Sequence, residues 1–229
     1  MASEGRELAG VRRRCTGVKR LDWPVQCAWR GELKGQAVGL AANGSGGMAA
    51  AGVVRAACEH EKVEAVVSTG WCGALAPELA RNEIFVAAGV ATETGGKVLA
   101  CEQPRTSREF RTGVLVTVGR VIGTAAEKAR LREMGAAADM EAAAVAEEAV
   151  RRGLRFYCVR VVLDEAGENF GLDFEAARGE NGRLSKGKVL RAALARPARG
   201  VPEVARWAWR SQRAARVLGE FLAECGFDA

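Results

Sequence analysis

Several acidic residues stand where they could act in acid–base chemistry. Asp164 directly follows the apolar run 156–163, and Asp139 and Glu141 flank Met140 just before an alanine-rich run. Ligands of open α/β sheets bind beyond the carboxyl ends of the strands, so a carboxylate after a strand is well placed to react. The simpler alternative is that Asp164 caps the next turn and that the other two acids complement a helix dipole.

The elements that position these acids follow from the local sequence. Residues 142–152 are rich in alanine and end in Arg151 and Arg152, which favours a helix with cations at its carbonyl end, and Gly153 supplies the stop. The run 156–163 is apolar and rich in β-branched residues, which is typical of a strand covered on both faces. The sequence therefore predicts a helix followed by a buried strand that ends at Asp164.

A glycine-rich turn earlier in the chain has the form of a ligand-binding loop. Short strands are predicted at 24–30 and 36–42, and the turn 42–47, which contains Gly44 and Gly46, leads into a predicted helix at 48–59. Such a turn exposes N–H groups that suit an anion or a hydroxyl-rich ligand, although glycines also make ordinary tight turns. The remaining elements are predicted as strands at 62–69, 83–91 and 113–118 and helices at 125–134, 186–195 and 203–224.

Length and composition favour one α/β domain spanning residues 1–229. The chain has 229 residues, 48% of them hydrophobic, which is enough for one well-buried core. No apolar run reaches the roughly 18 residues needed to cross a bilayer, and the first residues do not resemble a signal peptide, so a cytoplasmic protein is expected. The seven cysteines are scattered without a Cys-x-x-Cys pair, which indicates reduced thiols rather than a zinc or disulfide framework.

The positive charge is concentrated near the C-terminus. The net charge is +6, and residues 178–216 contain eleven Lys or Arg but only two acidic residues. No nucleic-acid-binding motif accompanies this stretch, so no nucleic-acid partner is expected. The basic helical segment at about 186–225 is either a solvated face or a weak membrane-surface contact, made by Arg206, Trp209, Arg210 and Arg213.

Three separated segments carry a resemblance to a known family. Residues 68–75 (Ser-Thr-Gly-Trp-Cys-Gly-Ala-Leu), 139–146 (Asp-Met-Glu-Ala-Ala-Ala-Val-Ala) and the strand ending at Asp164, with Arg160 inside it, resemble the nucleoside phosphorylase and nucleosidase family. This family includes methylthioadenosine/S-adenosylhomocysteine nucleosidases and hopanoid-associated phosphorylase-like proteins. The order and spacing of the segments agree over about residues 23–174, and they are specific only as a set.

The resemblance implies an architecture. It predicts a single-domain, three-layer α/β/α sandwich with a central mixed β-sheet, and commonly a homo-oligomer. Members of the family open with a glycine-ending strand, whereas this sequence begins at the segment that follows it. Either the sequence starts too late, or the protein does without this first strand.

The resemblance also implies roles for individual residues. Asp164 would protonate the purine, Glu141 would bind the ribose hydroxyls with Met140 packed on the sugar, and Glu4 or Glu7 would activate water. Arg160 would pair with an acid such as Glu4, Glu7 or Glu141, since an unpaired buried guanidinium is costly. The remaining expected substrate contacts are Asp139, Gly44, Gly46, Gly70, Trp71, Cys72, Gly73, Val121 and Ile122, of which the last two could equally be core residues.

The expected activity is cleavage of the N-glycosidic bond of an adenosine-type purine nucleoside, without a cofactor or metal. Hydrolysis is favoured because the indole of Trp71 would crowd a phosphate-binding position where the family has small residues. The alternatives are phosphorolysis with phosphate as co-substrate, action on a hopanoid-linked adenosine at a membrane surface, and a non-catalytic nucleoside-binding protein.

Overall fold

The computed structural model describes residues 1–169 and 197–228. Its strands are β1 (Thr16–Leu21), β2 (Cys27–Leu33), β3 (Gln36–Ala42), β4 (Ala65–Ala74), β5 (Ile84–Thr92), β6 (Leu99–Ala100), β7 (Arg111–Thr117), β8 (Ala137–Asp139) and β9 (Arg155–Asp164). Its helices are α1 (Ala9–Arg12), α2 (Gly47–His60), α3 (Ala125–Leu131), α4 (Ala142–Arg151) and α5 (Pro197–Leu222).

The strands form two sheets. β1, β2 and β3 make a small antiparallel sheet, and the other six follow the order β6-β5-β7-β8-β4-β9. β4 runs parallel to β9, and β7 runs parallel to both β5 and β8, whereas β5 pairs antiparallel with β9. Because β5 pairs with both β7 and β9, five strands close into a ring. The predicted central mixed sheet is confirmed.

Helices cover both faces of this sheet. Along β9 the side chains alternate, so Phe156 and Val162 pack toward α2 and α4 while Val159 and Val161 pack toward α1 and α5. This alternation explains why nearly every residue of β9 is buried. The three-layer arrangement predicted for the chain is confirmed, and it leaves Asp164 at the carboxyl end of a fully covered strand.

The first residues bridge the two sheets. The amide of Ala2 donates to the carbonyl of Ala41 (3.1 Å) in β3, and the amide of Thr69 in β4 donates to the carbonyl of Met1 (2.8 Å). The residues of β3 and β4 that precede these hydrogen bonds are separated by a cleft of about 560 Å³. Among the described residues no strand lies between β3 and β4. The bridge brings the N-terminal acids beside β4.

Some boundaries differ from the prediction. The strand predicted at residues 62–69 extends to Ala74, because the backbone of the glycine-containing stretch 70–74 pairs with β9 and with β8. The strands Thr16–Leu21 and Ala137–Asp139 were not predicted: the first is largely exposed, and the second is too short for a periodic pattern. The predicted helix 186–195 lies outside the described residues.

The C-terminal helix presents fewer basic side chains to solvent than predicted. Leu218 and Phe221 are buried, and Trp209 is 59% exposed. The Arg210 guanidinium, however, is mostly buried and donates to Glu168 (2.9 Å), so its placement in an exposed patch was wrong. Within residues 1–169 and 197–228, no helix combines the length and the apolar character needed to cross a membrane.

Candidate active site

A cavity of about 170 Å³ lies where β4, β8 and β9 end. Its lining includes five carboxyl groups and four cationic side chains, and most of these form ion pairs with one another. The acids are Glu4, Glu7, Asp139, Glu141 and Asp164, and the cations are Arg6, Arg120, Lys128 and Arg160. The two acid clusters expected from the sequence, at the N-terminus and around residues 139–164, therefore meet in one place.

Asp164 is held by a lysine. Its carboxyl group is buried at the end of β9, and Oδ2 accepts a hydrogen bond from Lys128 Nζ at 2.5 Å. Lys128 also donates to the carbonyl of Glu165 (2.7 Å), and its side chain is only 2% exposed. Burial raises the pKa of Asp164, and the adjacent ammonium opposes that rise. The site thus contains a buried acid with a proton-carrying neighbour.

Asp139 and Arg160 form a second buried pair. Arg160 Nη2 lies 2.6 Å from Asp139 Oδ2 and 2.9 Å from Ser68 Oγ. Asp139 also accepts from Thr117 (2.7 Å) and from the amide of Ala142 (2.9 Å) at the start of α4. The prediction that Arg160 pairs with Glu4, Glu7 or Glu141 was wrong: β8 places Asp139 next to it. With every oxygen engaged, Asp139 serves to fix Arg160 and α4.

Glu141 is oriented by the glycine-rich turn. Gly46, whose φ of 102° favours glycine, donates its amide hydrogen to Glu141 Oε1 at 2.9 Å. Burial, with a smaller contribution from the neighbouring Asp139 carboxylate, raises the pKa of Glu141 to about 8. Met140 and Glu141 both line the cavity.

The two N-terminal acids have different environments. Glu7 is 4% exposed and accepts hydrogen bonds from Ser3 Oγ (2.5 Å) and the amide of Glu4 (3.0 Å). Burial raises the pKa of Glu7 to about 6. Glu4 is more exposed and pairs with Arg6 at 2.6 Å. Glu7 is therefore the more buried of the two acids, and its carboxyl group is not paired with Arg6 as that of Glu4 is.

Two glycines of β4 let carboxylates approach the strand. A Cβ added to Gly70, which has a φ of 143°, would lie 2.1 Å from Glu7 Oε2, and one added to Gly73 would lie 3.0 Å from Asp164 Oδ2. Two residues separate these glycines, so they lie roughly 10 Å apart along an extended strand. Both acids thus lie against β4, and both line the cavity.

The side chains between those glycines differ in role. Trp71 lines the cavity and packs edge-on against Trp207 at 5.7 Å, with the Arg6 guanidinium over both rings. Cys72 is buried, and burial raises its thiol pKa well above the ordinary value, which disfavours it as a nucleophile. Val121 and Ile122 both line the cavity, and Ile122 also packs in a core cluster with Leu75.

Comparison with known proteins places the chain in a family. The family model described as the phosphorylase superfamily matches residues 24–99 and 90–195. The chain belongs to the phosphorylase superfamily. No protein with a curated description matches it in sequence.

Solved structures of similar fold match nearly the whole chain. The 5′-methylthioadenosine/S-adenosylhomocysteine nucleosidase of Campylobacter jejuni is 15% identical, with a TM-score of 0.72 over 97% of this chain and 94% of the other. The nucleosidase of Neisseria meningitidis, in complex with methylthio-immucillin-A, is 18% identical with a TM-score of 0.72 over 97% and 95%. A futalosine hydrolase mutant of Helicobacter pylori is 12% identical with a TM-score of 0.72 over 96% and 94%.

Most of the residues expected from the superfamily resemblance line the cavity, with two exceptions. Gly44 and Gly46 do not line it, whereas Ser45 between them does. The amide of Gly44 donates to the carbonyl of Ser3 (2.8 Å), and that of Gly46 is taken by Glu141. The turn therefore supports neighbouring site residues, and contact of these two glycines with a ligand stays a prediction.

Lys128 and Thr69 are among the cavity residues that were not predicted from the sequence. Lys128 lies three residues from both Ala125 and Leu131, so it occupies the inward stripe of α3, and a lysine at such a position could have been recognised. Thr69 is 5% exposed and lines the cavity, and its hydroxyl has no hydrogen-bond partner among the described residues. A buried unpaired hydroxyl beside a cavity is well placed to bind a polar ligand. In residues 1–169 and 197–228, no three metal-binding side chains come together.

Proposed function

We propose that this protein hydrolyses the N-glycosidic bond of a purine nucleoside. The observation that carries the proposal is the convergence of Asp164, Glu141 and Glu7 on one cavity at the ends of β4, β8 and β9. Breaking this bond requires a proton for the departing base, a partner for the sugar as it becomes cationic, and an activated water. The three acids can be assigned to these three tasks.

Asp164 is assigned to the base. Its carboxyl lies at the end of a fully buried strand, beside Lys128, and next to the apolar residues Leu163 and Ile122. A purine that leaves as an anion is unstable, so a proton delivered to N7 lowers the barrier. Burial raises the pKa of this carboxyl group and so favours its protonated form, and the adjacent Lys128 opposes that rise.

Glu141 is assigned to the ribose hydroxyls. The Gly46 amide fixes one carboxyl oxygen, and Met140 supplies an apolar surface beside it. With a pKa raised to about 8, this carboxyl group is only partly ionised in the free enzyme. Positive charge on the sugar favours the ionised form, so the interaction strengthens as the bond breaks, as transition-state stabilisation requires.

Glu7 is assigned to the attacking water. With its pKa raised to about 6, Glu7 is mostly ionised at neutral pH and still basic enough to accept a proton. Ser3 and the Glu4 amide hold one oxygen, while the other oxygen faces Gly70. Glu4 was the alternative base, and its pairing with Arg6 makes it the weaker choice.

Hydrolysis is preferred over phosphorolysis on charge and on space. Each Lys or Arg that lines the cavity has an acidic neighbour: Arg6 with Glu4, Arg120 with Glu127, Lys128 with Asp164 and Arg160 with Asp139. A phosphate dianion would have to compete with these carboxylates. The indole of Trp71 also occupies part of the cavity wall. The similar solved structures named above, nucleosidases and a futalosine hydrolase, agree with this preference.

The test is a panel of adenosine, inosine, methylthioadenosine and S-adenosylhomocysteine, each with and without phosphate. We expect release of a free base from at least one of them without phosphate, and a large loss of that activity in Asp164→Asn. Strict dependence on phosphate would favour phosphorolysis. Calorimetric binding of these nucleosides with no release of base from any of them would favour a non-catalytic binding protein. Light scattering of the same sample checks the expected homo-oligomer.

A further inference from the structure

Thr69 carries a buried hydroxyl group without a hydrogen-bond partner. It lies in β4, lines the cavity and is only 5% exposed. Its backbone is fixed, because its amide donates to the carbonyl of Met1 (2.8 Å) and the residue pairs with Val159 of β9. Its Oγ1 atom, however, has no partner within residues 1–169 and 197–228. A rigid strand thus holds an unpaired hydroxyl beside the cavity.

An unpaired buried hydroxyl is unfavourable for folding. Burying such a group without a hydrogen bond costs free energy, which valine, of nearly the same shape, would avoid. Val66 and Val67, shortly before it in β4, show that valine suits this strand. Folding alone therefore does not account for threonine at position 69, and a polar group bound in the cavity would satisfy its hydroxyl.

Thr69 is adjacent to the strand position that Glu7 approaches. It directly precedes Gly70, where an added Cβ would clash with Glu7 Oε2. The other carboxyl oxygen of Glu7 accepts from Ser3 and from the Glu4 amide, so Oε2 is the oxygen that faces the strand. The unpaired hydroxyl therefore lies next to the residue assigned to the attacking water.

The attacking water needs a second acceptor besides its base. Its lone pair must point at C1′ and one hydrogen goes to Glu7, so its other hydrogen needs an acceptor that keeps this orientation. Trp71 Nε1, which also lacks a partner among the described residues, is a donor only and cannot accept it. The hydroxyl of Thr69 can.

We propose that Thr69 is a positioning residue whose hydroxyl holds the attacking water against Glu7. The inference rests on the proposed function. The water oxygen bonds to C1′ as the C1′–N9 bond breaks, and the electron pair of the broken bond moves onto the purine. Glu7 takes one proton of the water while Thr69 Oγ1 accepts a hydrogen bond from the other, and the purine takes a proton from Asp164. Exchange with solvent then restores both carboxyl groups.

The experiment compares wild type, Thr69→Val and Thr69→Ser on the purine nucleoside that the wild type cleaves best. Thr112→Val is the matched control, because Thr112 is an exposed residue of β7 outside the cavity lining. For Thr69→Val we expect kcat to fall about tenfold and KM to change by less than about threefold, because the lost hydrogen bond orients water and not the nucleoside. Thr69→Ser keeps the hydroxyl, so it should stay within about threefold of wild type, as should the control.

Competition with methanol tests the contact with water itself. Methanol can give its hydroxyl proton to Glu7 and add to C1′, which yields a methyl riboside in place of ribose, but it has no second hydrogen for Thr69. Thr69→Val should therefore raise the ratio of methyl riboside to ribose about five- to tenfold, and Thr69→Ser should keep the wild-type ratio. In urea denaturation Thr69→Val should be at least as stable as wild type, because it buries no unpaired hydroxyl.

Four results for Thr69→Val would each overturn the inference alone. They are full kcat, a raised KM without a loss of kcat, an unchanged product ratio, and a loss of stability or failure to fold, which would make the hydroxyl a structural group. A large loss of activity in Thr69→Ser would do the same. A wild type that cleaves no purine nucleoside would overturn the proposed function and the inference together.

Discussion

Replacing Glu7 with glutamine should separate the catalytic role of this residue from its effect on stability. Glu7 is 4% exposed, and its carboxyl accepts from Ser3 Oγ and from the Glu4 amide while touching Gly70. Glutamine keeps the shape and an oxygen acceptor for both donors. It removes the negative charge that the proposed mechanism uses to take a proton from water. We expect activity to fall about 10²- to 10⁴-fold, the usual contribution of a general base.

Stability should change in the opposite direction. The pKa of Glu7 is raised from 4.5 to about 6 by burial, so the folded protein holds this proton more tightly than the unfolded chain does. The favourable contribution of the proton is complete below pH 4.5 and is lost as the pH rises through 6. A shift of this size corresponds to about 2 kcal/mol above pH 6. Glu7→Gln, which carries no ionisable group, should therefore be more stable than wild type by up to about 2 kcal/mol at pH 7.5 and equal to it near pH 4.

Urea denaturation at both pH values measures the difference, and Glu4→Gln is the matched control. Glu4 is partly exposed and paired with Arg6, and a pair of this kind contributes about 0 to 1 kcal/mol. We therefore expect the control to retain most of its activity and to change stability by no more than about 1 kcal/mol. If Glu7→Gln lowered stability equally at pH 4 and 7.5, or kept full activity, Glu7 would be a structural acceptor and its assignment to water would be refuted.

Three further substitutions test the geometry of the cavity. Gly70→Ala would place a Cβ 2.1 Å from the Glu7 carboxylate, so activity should fall at least about 100-fold, whereas Gly39→Ala in β3 meets only a side chain at 3.5 Å and should stay active in the same assay. Equal effects of the two would contradict this. Arg160→Leu leaves the fully buried Asp139 carboxylate without its cation, which should lower the unfolding free energy by about 3–5 kcal/mol in urea titration; a change below about 1 kcal/mol would be inconsistent with the buried pair. Asp164→Asn removes the proposed acid and should reduce nucleoside cleavage by about 10²- to 10⁴-fold, and undiminished turnover would exclude that role.

Local patterns were sufficient to predict the parts of the site that depend on sequence neighbours. The apolar run before Asp164 and the alanine-rich run after Glu141 each specify one element. The chain enters the helix from Glu141 and leaves the strand at Asp164. The sandwich around them followed from the resemblance of three short segments. These predictions held because a buried strand and a helix have periodicities that do not depend on distant partners.

The contacts that pair the charges could not be predicted in the same way. Arg160 and Asp139, Lys128 and Asp164, and Arg210 and Glu168 are 21, 36 and 42 residues apart, and each pairing depends on how the sheet closes. β8 is only three residues long, yet it places Asp139 beside Arg160. Position along the chain gives no local signal for such pairs, because any of several acids satisfies the same electrostatic requirement.

The close contacts of the β4 glycines could not be predicted from local sequence either. The predicted strand ended at residue 69, just before two glycines, since glycine is permissive in turns. In the fold they are strand residues that leave space for carboxylates from the N-terminal segment and from β9. The reason for glycine at these positions can be recognised only once the neighbouring carboxylates are placed in the fold.

The central claim, that water attacks a nucleoside held between Asp164, Glu141 and Glu7, is tested most directly by isotope transfer. The reaction is run in water enriched in oxygen-18, with phosphate present, and the released base and sugar are analysed by mass spectrometry. The account predicts a free purine and a pentose that carries one heavy oxygen at C1, with both products lost in Glu7→Gln. A sugar phosphate without the label, or no cleavage of any purine nucleoside, would contradict it.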